Sequence, residues 1–314
     1  MTLKIIDKRK YTYIFSAILL ILSIASLFVW GLNLGIDFKG GTLMEIEFVE
    51  DKNISEKKTE LQVPSREAIL EKLAELEIDS LTVQSSENNR IILKYIASDE
   101  NLNEKVIIEL NEFDGDLKQL RVDFIGSSVS NQLKKNAIWA LLTAIIGIAL
   151  YIAWAFRKVS FPVPSWQYGL GAILALAHDV IITLGIFAVL GEFFNVEVGI
   201  PFVAAILTIL GYSVNDTIVV YDRIRENILK SDSKENFENI TNKSLNKTLA
   251  RSINTSLTVV VVLLAIILFG GETIKSFSVA LLVGIIFGTY SSIFVASAFL
   301  VSSYNKKVTN IKQK

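Results

Sequence analysis

The chain has 314 residues, 51% of them hydrophobic, with a formal net charge of −1 and a positive mean hydropathy. It contains no cysteine and a single histidine, which excludes disulfide stapling and thiolate metal sites and leaves little for zinc chemistry. Charge is clustered: residues 33–131 hold 11 Lys and Arg against 21 Asp and Glu, a net −10, and the remainder carries +9. So acidic a segment argues against nucleic acid as its partner.

A basic N-terminus with Lys4, Lys8, Arg9 and Lys10 precedes the apolar run YIFSAILLILSIASLFVWG. That run exceeds the ~7–15 residues of a signal-peptide core, and no A-x-A site closes it, so it reads as an uncleaved span. Five further runs are long enough, or nearly so, for a hydrocarbon core that takes ~20 helical residues. Spans are expected near residues 12–32, 136–156, 168–190, 200–221, 254–270 and 277–300. Lys and Arg mark cytoplasmic segments. Lys4 to Lys10, Arg157 with Lys158, the block Arg223 to Arg251, and Lys306 to Lys314 fall on one side of such an arrangement. The opposite short loops hold Glu192, Glu197, Glu272 and Lys275. Both termini are therefore expected in the cytoplasm and residues 33–131 outside.

The external segment reads as β-α-β-β-α-β. GTLMEIEFVE alternates like a strand, and PSREAILEKLAELEI places Ile69, Leu70, Leu73 and Leu76 on one helical face behind Pro64 and Ser65. LTVQSS and IILKYIA pair as a hairpin through Glu87, Asn88 and Asn89. NLNEKVIIELNEF is a second helix and LKQLRVDFIG a last strand, giving the ferredoxin-like split βαβ order. So small a domain buries a marginal core, so docking onto neighbours is expected. The expected fold class is a membrane protein: a six-helix transmembrane bundle with one extracytoplasmic α+β ferredoxin-like domain. Residues 1–32 form the N-terminus and first span, 33–131 the domain, and 132–314 the remaining spans with a cytoplasmic loop at 222–253 and a cytoplasmic tail. Within that loop Leu245, Leu249 and Ile253 keep helical spacing, which fits either a helix on the membrane surface or a solvated linker.

Polar residues inside the spans are the candidate functional groups. His178 and Asp179 fall near the middle of the third span, and Asn215 and Asp216 about one and a half turns before the cytoplasmic end of the fourth. Ionisable groups at such depth cost ~2.5–3.5 kcal/mol on insertion scales and mark ion or proton paths. Thr208, Tyr212, Asn215, Asp216 and Val219 form one stripe expected to face the bundle interior; Arg251, Asn254, Thr255 and Thr258 form a similar stripe on the fifth span. The bland readings stand beside these: Asp216 at headgroup level, Arg251 as a membrane anchor, and His178 as a hydrogen-bonded interior residue. Asp222, Arg223, Arg225 and Glu226 read as a solvated helix end. Ala140, Ala144 and Gly147, and Gly284 with Gly288, are expected to let helices approach closely. No segment has the spacing of a phosphate-binding loop, since Gly41 occupies the position that loop gives to Lys, so the energy source is expected to be the transmembrane gradient. One charge moved across it is worth ~2.3 kcal/mol per 100 mV.

GIDFKGGT after the first span, HDV in the third, GYSVNDTIVVYDRIREN in the fourth and LARSINTSLT entering the fifth resemble the SecF branch of the SecD/SecF family, in the resistance-nodulation-division superfamily. The resemblance implies a subunit of the bacterial inner-membrane export machinery. Such a subunit works with SecD beside the SecYEG channel and uses the proton motive force to assist late movement of an unfolded polypeptide. It assigns proton flow to Asp216 and Arg251, with Asn215, His178 and Asp179 in the same pathway, and it implies no cofactor. Ser127 follows Gly126 where the family often has proline, which concerns only the local hinge. Gly35, Asp37, Gly40 and Gly41 form the junction motif: the glycines turn the chain sharply from membrane helix to first strand, and Asp37 and Lys39 keep the junction polar. The alternatives are an efflux transporter of the same superfamily and a passive assembly subunit. An enzyme is the weakest reading, because no nucleophile, base and orienting group assemble outside the membrane.

Overall fold

The structure, a computed structural model, describes residues 3–49, 64–76, 78–86, 89–96, 100–113, 116–157, 162–231 and 235–312. Glu87 and Asn88 of the expected hairpin turn, and Lys158 of the basic series, lie outside these. The chain divides into a helical unit, Met1–Asn33 with Ala137–Lys314, and a sheet unit, Leu34–Asn136.

The sheet unit begins with a one-turn helix, α2 (Ile36–Lys39), and runs β1 (Gly41–Val49), α3 (Arg66–Leu73), β2 (Asp79–Ser86), β3 (Arg90–Ile96), α4 (Glu100–Leu110) and β4 (Asp116–Ile125). Its four strands are antiparallel in the order β2-β3-β1-β4, the split βαβ arrangement. The period-2 pattern of β1 sends Met44, Ile46 and Phe48 to one face. There they meet Ile91, Leu93 and Tyr95 of β3, Ile69 and Leu73 of α3, and Val106 and Leu110 of α4. Ser65 caps α3 by accepting from the Ala68 amide at 3.2 Å. Burial pushes the Tyr95 phenol up to about 12, while its hydroxyl donates to Asn103 Oδ1 at 2.7 Å. On the other face Arg90 lies 3.7 Å from Glu45 and 3.8 Å from Glu47.

Among the described residues, six helical stretches are long and apolar enough to cross a membrane: Ile6–Val29, Ser127–Ala155, Ser165–Phe194, Ile200–Lys230, Phe237–Phe269 and Ile274–Lys306. They correspond to α1 (Arg9–Val29, after a short 3₁₀ turn), α5 (Ser127–Ala155), α6 (Ser165–Phe194), α7 (Ile200–Lys230), α8 (Phe237–Phe269) and the pair α9 (Glu272–Ser291) and α10 (Ser297–Lys312). Between α9 and α10, Ser292–Ala296 form a π-helical turn.

These helices outrun the apolar runs read from the sequence, because backbone hydrogen bonding continues into polar residues. In the segment expected as a loop at 222–253, the described residues are helical except 231, 235 and 236. Its two helical arms bind one another and the N-terminus through short polar bonds. Asn227 donates to Ser244 at 2.7 Å, the Ile6 amide to Asn242 at 2.9 Å, and Arg9 pairs with Glu238 at 2.8 Å.

Small residues set the closest approaches. A Cβ on Gly185 of α6 would strike Ser23 of α1, whose neighbour Ser26 donates to the Gly185 carbonyl at 3.0 Å. A Cβ on Gly284 of α9 would strike the Ile209 side chain of α7. Gly147 of α5, expected to act likewise, has nothing within 4 Å, and α5 packs little of its length.

Candidate functional site

Two polar clusters lie inside the helical unit. The first centres on Asp179 of α6, which is 0% exposed. Its Oδ2 accepts from Ser213 of α7 at 2.7 Å and from Ser291 of α9 at 2.8 Å, and its Oδ1 lies 3.0 Å from His178 Nδ1. One carboxylate thus ties three helices. Thr217 and Ser292, 2.8 Å apart, extend the contact between α7 and the π turn. His178 is 3% exposed and stacks on Tyr290 with centroids 5.9 Å apart. With Nδ1 carrying the proton toward Asp179, Nε2 is a buried acceptor that has no donor among the described residues.

The second cluster lies between α7 and α8. Asp216 Oδ1 accepts from Ser252 Oγ at 2.5 Å, and Oδ2, also shielded from solvent, has no hydrogen-bond partner among the described residues. Arg251, next to Ser252, makes no ion pair with Asp216 within 4 Å among the described residues; the carboxylate is held by a hydroxyl instead. A short distance along α8, Tyr212 donates to Ser256 at 3.3 Å, and Ser256 lies 2.5 Å from Thr289 of α9. No hydrogen bond among the described residues joins the Asp179 and Asp216 clusters.

The expected orientation of the polar stripes is corrected. Thr208 and Asn215 are exposed and Tyr212, Asp216 and Val219 half-buried, while Arg251, Asn254, Thr255 and Thr258 are exposed. The interior face of α7 carries Ile209, Ser213, Thr217 and Val220, rotated from the stripe, and Gly284 and Gly288 of α9 face Ile209 and Ser213 there. On α8 the exposed polar residues stand among exposed Ile253, Leu257 and Val261, so the outward surface is mixed. Ser213, Ser252 and Ser291 hold both carboxylates, and sequence reasoning does not single them out. The run Thr289-Tyr290-Ser291-Ser292 inside an apolar segment is the signal that points to one of them.

At the junction, Gly35 precedes α2, and the glycine pair follows it with φ +82° at Gly40 and +135° at Gly41. Gly41 pairs with Ile125, and a Cβ there would strike the Tyr95 carbonyl oxygen; one at Gly40 would lie 3.2 Å from the Ile125 carbonyl oxygen. The pair therefore turns the chain from α2 into β1 where three strands meet. It does not stand at the end of the membrane helix, which closes at Gly31 with φ +69°. Asp37 is half-buried and Lys39 exposed.

A six-span bundle with carboxylates in its third and fourth spans and a ferredoxin-like sheet unit defines a class of membrane protein. The chain belongs to the SecD/SecF family. Residues 105–306 match the model described as protein export membrane protein SecD/SecF, C-terminal, and residues 25–51 match the SecD/SecF GG motif. It is 41% identical to the protein translocase subunit SecF of Sebaldella termitidis over 98% of this chain and 94% of the relative. It is 43% identical to that of Thermobaculum terrenum over 98% and 96%. Among solved structures it resembles SecDF from Thermus thermophilus, described as a translocon-associated membrane protein, with a TM-score of 0.79 and 31% identity. The match covers 97% of this chain and spans 39% of that longer one.

Proposed function

We propose that the chain is a Sec export subunit that works with SecD and uses the proton motive force to assist late translocation of polypeptides at the outer face of the bacterial inner membrane. Both termini are then cytoplasmic and the sheet unit is extracytoplasmic, within reach of a chain emerging from SecYEG. The observation that carries this reading is the Asp216 carboxylate: one oxygen is held by Ser252 and the other is sheltered and, among the described residues, unpartnered. An oxygen with no donor is where a proton adds at least cost. Once neutral, the carboxyl offers Ser252 a weaker partner and no longer attracts the nearby Arg251 charge, so α8 is free to shift against α7. The Asp179 carboxylate, bonded at both oxygens, is the fixed element against which such a shift is made.

The exposed polar residues Asn215 and Asn254 support a second membrane partner, since hydrocarbon satisfies neither amide. SecD is the partner this reading assigns, in keeping with the longer SecDF chain that aligns with this one. The test is gradient-driven export in membrane vesicles that contain SecD and SecYEG. Asp216→Asn is expected to abolish the gradient-dependent component; its full retention would exclude the role.

A further inference from the structure

An open cavity of about 280 Å³ lies among the end of α5 and the polar ends of α7 and α8. Four cations line it, Arg223 and Arg225 from α7 and Lys247 and Arg251 from α8, with Asp222 as their acidic neighbour. The α7 cations are matched by carboxylates on their own helix. Arg225 lies 3.5 Å from Asp222, and Arg223 lies 2.6 Å from Glu226. The α8 cations are not so matched. Lys247 donates to the neutral amide oxygen of Asn227 at 3.0 Å, and the Arg251 guanidinium forms no hydrogen bond or ion pair among the described residues. Standing four residues apart on one helix, they occupy one face ~6 Å apart along its axis. Two like charges so placed call for an anion between them.

The other walls are apolar and include Phe156, Ile218 and Val219. On the α5 turn before Phe156, Tyr151 and Trp154 stand exposed with centroids 6.4 Å apart, and Arg157 lies 4.8 Å over the Trp154 ring. Exposed aromatics and a basic residue at the end of an apolar helix mark the headgroup level of a bilayer. The cavity therefore combines an excess of positive charge, four cations against Asp222 in its own lining, with apolar wall at the depth of lipid phosphates. Basic pockets between transmembrane helices hold anionic headgroups for this reason.

We infer that this cavity binds the phosphate of an anionic phospholipid. The planar Arg251 fork engages two phosphate oxygens and Lys247 supplies a point charge, while the glycerol and upper acyl atoms rest on Phe156, Ile218 and Val219. The site shares Arg251 with the proposed coupling step, but its lipid preference is read through Lys247 and stands whether or not Asp216 titrates.

Native mass spectrometry of the full chain tests it, with phosphatidylglycerol, phosphatidylcholine and inorganic phosphate as probes. Phosphatidylglycerol is expected to be retained about tenfold over phosphatidylcholine, the scale of one hydrogen bond to a charged group. Lys247→Gln is expected to remove that preference, Lys247→Arg to keep it, and excess inorganic phosphate to leave the lipid bound. Equal retention of the two lipids overturns the inference, as does an unchanged preference in folded Lys247→Gln. Displacement by inorganic phosphate would make this a soluble-anion site and equally overturn it. If Lys247→Gln fails to fold, the comparison of the two lipids on the wild-type chain still decides between binding and its absence.

Discussion

Ser252 Oγ lies 2.5 Å from Asp216 Oδ1 and is the single hydrogen-bond donor to that carboxylate among the described residues. Hydrogen bonds to charged groups are worth ~1.5–3 kcal/mol, so Ser252→Ala is expected to lower gradient-driven export about tenfold or more. Ser252→Thr keeps the hydroxyl and is expected to keep most of the rate. Export assayed in vesicles at a fixed gradient measures both.

Ser213 and Ser291 bond the same oxygen of Asp179 from different helices. Each alanine substitution is expected to destabilise the bundle by ~1–3 kcal/mol. Because the two share an acceptor, the double variant should depart from the sum of the singles by ~0.5 kcal/mol or more. Unfolding of the detergent-solubilised chain gives these values, and strict additivity would mean the hydroxyls act independently.

Gly31 and Gly41 both hold positive φ, but open space surrounds the first and the Tyr95 carbonyl faces the second. Gly31→Ala carries only the left-handed backbone penalty of ~1–2 kcal/mol. Gly41→Ala adds a steric conflict that pushes β1 from β3, so it should cost clearly more and expose the sheet unit to limited proteolysis. Comparable protease resistance in the two variants would refute the contact.

Gly284 faces the Ile209 side chain, whereas Gly147 faces nothing within 4 Å. Gly284→Ala overpacks the α7–α9 contact and is expected to cost ~1–3 kcal/mol. Gly147→Ala should stay within ~0.5 kcal/mol of the parent, which the same unfolding assay checks.

Strand and helix identities in the sheet unit are legible in the sequence because its core is one-sided. Met44, Ile46 and Phe48 recur with period 2, and Ile69 and Leu73 with helical spacing. The one-turn helix α2 carries no such signal, being too short for any period. The spans are visible as hydropathy, but their ends are not: hydropathy reports what lipid tolerates, and α7 and α8 continue as helices where it falls. Asp179 and Asp216 stand out as charges in apolar surroundings. Their partners Ser213, Ser252 and Ser291 do not, because serine sits easily in any membrane helix by bonding the preceding turn. The polar stripe on α7 also departs from its expected facing. A helix's own polarity does not settle its rotation, and here Ile209 and Ser213 face Gly284 and Gly288.

The most direct test of the coupling role is infrared difference spectroscopy of the carboxyl stretch in the reconstituted complex with SecD, recorded as a proton gradient is applied and collapsed. A band that appears and disappears with the gradient, shifts in Ser252→Ala and is missing in Asp216→Asn is the expected result. A spectrum in which no gradient-dependent carboxyl band is lost on Asp216→Asn would contradict the account.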